Sequence, residues 1–189
     1  MVSKLLIGSM LLGGVLLGII VQFVEPSVSD SDSYAAVVPQ LLANSTHHMI
    51  AGFGFIVAIL SIFIGTSYLA KSMQGEQKPG SDLAGLASIL ALLGAAVVAI
   101  SIGLEMGIID GQYADKGGDV ALGYGIADAM FMITFMFLGA TLLLLGIAIL
   151  RQKNLHQIVG GITGLSGLLL LAGMLMPSAD PGLASTSTT

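Results

Sequence analysis

Five long apolar stretches, Leu5–Val24, Met49–Ala70, Leu83–Ile109, Ala121–Leu150 and Gln157–Met176, alternate with short polar ones. At about 1.5 Å of rise per residue, each is long enough as a helix to cross a hydrocarbon core about 30 Å thick. The pattern predicts an all-α polytopic membrane protein with five transmembrane helices in an up-down bundle. The first helix occupies residues 1–24, and the longest connection, 25–46, sets it apart, so it packs beside the others or against another subunit. Residues 47–177 form a four-helix bundle with short links, which favour antiparallel neighbours. Residues 178–189 are a polar Ser/Thr tail.

Local chemistry marks the ends of these elements. Pro26 stops the first helix and Pro177 the last. Within 25–46, the Ser- and Asp-rich run 27–33 reads as irregular. Tyr34–Ala43 reads as a short interfacial helix starting near Pro39. Asn44-Ser45-Thr46 offers N-cap oxygens to the second span, and Ser81 offers one to the third. Gly14 and Gly18 of the first span, and Gly160 and Gly164 of the last, have the spacing of small-residue packing faces. The first apolar run is 20 residues and is followed by Phe23-Val24-Glu25-Pro26, a poor cleavage site, so it reads as an uncleaved span rather than a signal peptide.

The third span carries two stripes. Ala87, Ala91, Ala95, Ala99, Gly103 and Gly107 recur every four residues as a ridge that lets helices approach closely in lipid. A second stripe runs from Ala87 through Ala91, Gly94, Val98 and Ser101 to Glu105, the one charge in the span. That face is small and weakly polar, and it points Glu105 into the bundle.

Charge adds sidedness. Only 9% of residues are charged against 55% hydrophobic, whereas soluble domains carry about 25% charged residues. With the N-terminus in the cytoplasm, Lys4, Lys71, Lys78, Arg151 and Lys153 lie inside and only Lys116 outside. This is the positive-inside arrangement. It places Glu25, Asp30, Asp32, Asp110, Asp115, Asp119, Asp180 and the C-terminus on the non-cytoplasmic side of the cell membrane. Cysteine is absent, which excludes disulfides and thiolate chemistry. No basic cluster exists to bind nucleic acid. The lipid bilayer and other membrane subunits are the expected partners.

Candidate chemistry gathers in the outer half of the spans. Glu105 and Asp128 are intramembrane carboxylates, and His47 and His48 open the second span at similar depth. Carboxylate and imidazole are the ligand types of a divalent metal site or a proton relay. Equally, histidines capping a helix start and carboxylates facing an acidic aqueous surface need no function. Met49, Met106, Met130, Met132, Met174 and Met176 share that half. Thioether with imidazole suits copper, although methionine is also an ordinary gap-filler. No GxSxG, SxxK, HExxH or P-loop motif is present, so nucleophilic catalysis has little support; a membrane enzyme is a third reading and would require a bound metal or cofactor, which the sequence does not identify.

The segment 139–176 contains Leu144, Leu145, Gly146, Ala148, Ile149, Leu150 and Arg151, then a short polar link, then Gly160, Gly161, Gly164 and Gly167. It resembles the last two helices of a broad class of uncharacterised small multi-helix membrane proteins, whose penultimate helix ends in "LLLGxALLR". The resemblance implies a topology and no catalytic residues. Two functions are expected. One is a non-catalytic scaffolding or accessory subunit of a larger membrane complex such as an oxidase, monooxygenase or respiratory-type assembly. The other is a small ion, proton or metal transporter or sensor using His47, His48, Glu105 and Asp128.

Overall fold

The computed structural model describes residues 3–26, 33–153 and 155–175. They form seven helices: α1 Lys4–Val24, α2 Tyr34–Ala43, α3 Ser45–Ser72, α4 Ser81–Ile109, α5 Gln112–Asp115, α6 Val120–Gln152 and α7 Gln157–Leu175. Five of them, α1, α3, α4, α6 and α7, are long and apolar enough to cross a membrane, as a multi-pass membrane protein requires. Asp30, Asp32, Met176, Pro177 and the polar tail lie outside the described residues.

The ends differ in detail from the sequence reading. Ser3 caps α1 by accepting from Leu6 N, and Asp119 caps α6 by accepting from Leu122 N. Asn44 stands at the N-cap of α3 but makes no side-chain cap bond. Gly80, not Ser81, precedes α4, and the Ser81 hydroxyl instead accepts from Gly75 N at 3.0 Å. Pro39 does not start α2; it lies inside it. A proline there removes the bond to the carbonyl four residues back. Burial of Val38 and Leu41 holds this short helix in place despite that loss.

Registers between neighbours are antiparallel throughout. Gly14 of α1 lies on Ala58 and Ile62 of α3, while Gly54 lies on Val21. Ser67 of α3 bonds Ser88 of α4, and Gly52 approaches Met106. Gly94 of α4 faces Phe137 of α6, and Ser101 bonds the Ala127 carbonyl. Gly146 of α6 faces Gly164 of α7, and Gly139 faces Gly167. The main contacts therefore run α1–α3–α4–α6–α7 in chain order, with α2 lying on α6 and α3. The four spans after α2 do not close into a ring, because α7 packs on α6 alone among its main contacts. The first span packs against α3.

The core sits where α3, α4 and α6 meet. Small residues of α4 let the larger side chains of its neighbours converge. One cluster joins Ala70 and Met73, Ala84 and Ala87, and Leu145, Ala148 and Ile149. The other places Phe63 against Ala91, Ala95, Val98 and Ile102. A Cβ on Gly94 would stand 2.5 Å from Phe63 Cε1, so that ring requires glycine there. Polar groups are inside as well. The Ser67 and Ser88 hydroxyls share a buried 2.8 Å hydrogen bond, whereas the buried Thr141 Oγ1 has no partner among the described residues. Ser88→Ala therefore costs about 0.5–1.5 kcal/mol, because it strands the Ser67 hydroxyl. The double variant Ser67→Ala/Ser88→Ala costs less than the sum of the singles, which a double-mutant cycle on unfolding in mixed micelles measures.

Charge separates along the bundle. The end formed by the start of α1, the α3–α4 link and the α6–α7 link carries Lys4, Lys71, Lys78, Arg151 and Lys153, with Glu76 and Asp82. The opposite end carries Glu25, Asp110, Asp115 and Asp119 beside Lys116.

Candidate functional site

At the acidic end, a cavity of about 350 Å³ opens between α1, α3, α4 and α6. Its depth follows from helix geometry. The α6 lining runs from Tyr124 to Phe135, and the α3 lining from His48 to Phe55. At about 1.5 Å per residue these walls span about 16 Å and about 10 Å, so the cavity reaches about two to three turns into the bundle. Gln22 and Glu25, at the exposed end of α1, lie at its rim.

Glu105 reaches the cavity because of the stripe it ends. Ala87, Ala91, Gly94, Val98 and Ser101 are all buried against α3 and α6, and the same face carries Glu105 inward. The Ser101 hydroxyl, one turn below, donates a buried 2.7 Å hydrogen bond to the Ala127 carbonyl. That bond fixes α4 against α6 beside Asp128, so both carboxylates line one space.

Of the four residues expected to cluster, three line the cavity: His48, Glu105 and Asp128. His47 does not; it is the next residue on α3, about 100° round the helix, and it is exposed. Among the described residues, no three His, Asp or Glu side chains are placed to hold a metal ion together. The shared metal centre expected of the four therefore has no matching geometry. Of the methionines in that half, Met106 lines the cavity.

Two further groups belong to the site. Glu25 stands with its Oε1 3.9 Å from His48 Nδ1. His48 itself is only 5% exposed, and its Nε2 is buried without a hydrogen-bond partner among the described residues. Tyr124 lines the wall, and Tyr34 of α2 packs edge-on against it at 5.7 Å between ring centres. The Tyr34 hydroxyl donates to Asp128 Oδ2 at 3.1 Å, which ties α2 to the cavity wall. Neither Glu25 nor the tyrosines stood out in the sequence. Glu25 is one acidic residue among several in a polar loop, and the pairing of Tyr34 with Asp128 spans 94 positions.

The hydrogen bond to Asp128, then its negative charge, then burial raise the Tyr34 pKa above its usual 10.0. A raised phenol pKa means the bond contributes fully below the unfolded tyrosine value and is lost as pH climbs through the folded one. Tyr34→Phe is expected to remove one tyrosinate transition from the alkaline end of an ultraviolet titration. It also frees the Asp128 carboxylate from its donor.

The cavity is thus lined by three carboxylates and a histidine, with no Lys or Arg. Such a lining can bind cations or exchange protons. No known protein family, curated protein or solved structure matches the chain.

Proposed function

We propose that this multi-pass membrane protein is a small cation or proton transporter that works through the cavity at the acidic end. The observation that carries the reading is the convergence of Glu25, Glu105 and Asp128 on one space that holds no Lys or Arg. Carboxylates at membrane depth are costly, by at least about 2.5–3.5 kcal/mol for an isolated charge at the bilayer centre. A fold that keeps them together in a cavity, rather than apart on its surface, has a use for a positive charge there. With the basic end in the cytoplasm, the cavity opens on the non-cytoplasmic side.

The test is flux in reconstituted vesicles carrying a pH-sensitive dye. Glu105→Gln and Asp128→Asn should each cut proton or cation flux by about tenfold or more while the protein still assembles. Wild-type flux in both variants overturns the reading.

One observation favours a second function, a scaffolding or accessory subunit of a membrane complex. Gly8 and Gly13 of α1, Gly103 of α4, and Gly161 and Gly173 of α7 have open space where a side chain would be. Faces of this kind suit close helix association. Native mass measurement after mild detergent extraction tests it: a strictly monomeric particle without a partner overturns the scaffold.

A further inference from the structure

The cavity joins two kinds of wall that a metal ion or a bare proton does not need together. Beyond its carboxylates it is lined by aromatic rings. Phe55 and Phe131 have ring centres 5.8 Å apart, and Phe131 meets Phe135 edge-on at 5.1 Å. Aromatic faces attract organic cations and provide contact for apolar groups. A volume of about 350 Å³ falls within the range of small-molecule sites, which begins at about 300 Å³. A divalent metal, by contrast, requires several converging donors, and no such trio exists among the described residues.

His48 supplies an independent sign of a ligand. Its side chain lines the cavity, it is 5% exposed, and its Nε2 has no hydrogen-bond partner among the described residues. Buried polar atoms are nearly always satisfied, so an orphan in a cavity wall marks where a partner sits. Nδ1 stands 3.9 Å from Glu25 Oε1, beyond hydrogen-bond reach, so neither ring nitrogen of His48 is held by a hydrogen bond to that carboxylate. Glu105 and Asp128, which line the same cavity, favour a positively charged partner that can also present an N–H to this ring.

We propose that the cavity binds a protonated lipophilic amine. Glu105 and Asp128 balance the ammonium charge, His48 Nε2 accepts one of its N–H groups, and Phe55, Phe131 and Phe135 hold its apolar part. This deepens, and rests on, the reading of the cavity as a cation-handling site. A quaternary ammonium would satisfy the carboxylates and rings but leave His48 unpaired. A neutral alcohol of the same shape would reach His48 but leave the carboxylates uncompensated.

The experiment is calorimetric titration of the full-length protein in nanodiscs, with empty nanodiscs as blank. The probes are phenethylamine, its N,N,N-trimethyl derivative, phenethyl alcohol, zinc chloride and manganese chloride. Phenethylamine should bind, and both analogues should bind about tenfold more weakly or worse. Glu105→Gln should weaken the amine by about tenfold, and Phe131→Leu by about threefold, with the fold intact by circular dichroism. Equal binding of the trimethyl derivative overturns the role given to His48. Glu105-dependent binding of zinc or manganese without amine binding overturns the amine and leaves the cation-handling reading standing. Amine binding in a protein whose vesicle flux ignores Glu105 does the reverse, sinking transport and retaining the amine site.

Discussion

Gly146→Ala is expected to destabilise the protein by about 1–3 kcal/mol, whereas Gly161→Ala, on the helix it touches, is expected to be neutral or to stabilise by up to about 1 kcal/mol. The difference lies in what the added methyl meets. At Gly146 it would stand 2.5 Å from Gly164 Cα and 2.8 Å from the Gly160 carbonyl oxygen, with Gly164 N closer still. These are backbone atoms and cannot rotate aside, so α6 and α7 must separate. Gly167 repeats the arrangement from the other helix, with a Cβ 2.5 Å from the Gly139 carbonyl oxygen. In lipid no hydrophobic force draws helices together, and close contact between their surfaces is much of what holds them. Because α7 rests mainly on α6, separation there detaches the last span as a unit. Gly161 has nothing within 4 Å, so its methyl only improves helix propensity. Unfolding midpoints in mixed micelles measure both variants, and equal losses would count against the α6–α7 contact.

Much of this arrangement could be read from the sequence, for physical reasons that also set its limits. The spans were legible because apolar runs of membrane-crossing length have few other uses. The step-of-four ridge on α4 was legible only in part. Each step of four advances about 40° round a helix, so a ridge of six positions cannot keep one face. Ala87, Ala91 and Ala95 are buried, but Gly103 and Gly107 have swung into open space. The stripe through Gly94, Val98 and Ser101 mixes steps of three and four, follows the true period, and delivers Glu105 to the cavity. His47 and His48 looked equivalent in sequence because depth along a helix is legible and rotation about it is less so. Which of the two is buried depends on how α3 turns toward α4 and α1. Tyr34 and Glu25 could not be placed from sequence. Their partners, Asp128 and His48, become neighbours only once α1 and α2 have docked.

Glu105→Gln is expected to raise the stability of the fold while it lowers the activity of the site. Stability and function part here because the carboxylates are mutually unfavourable. Glu25, Glu105 and Asp128 line one cavity, and no Lys or Arg offsets them. Asp128 accepts from Tyr34, and Glu25 lies near His48. If Glu105 were a structural residue, its amide would forfeit a needed charge, and the bundle would weaken by about 1 kcal/mol or more. If it is held for a cation, the amide removes repulsion and the cost of desolvating a charge. The midpoint then rises by an amount worth about 1 kcal/mol, as is common when a strained functional group is replaced. The sign of the change therefore separates the two. Unfolding in mixed micelles, paired with flux on the same preparations, reads both quantities. A variant that is less stable and retains its flux would assign Glu105 to the scaffold rather than to the site.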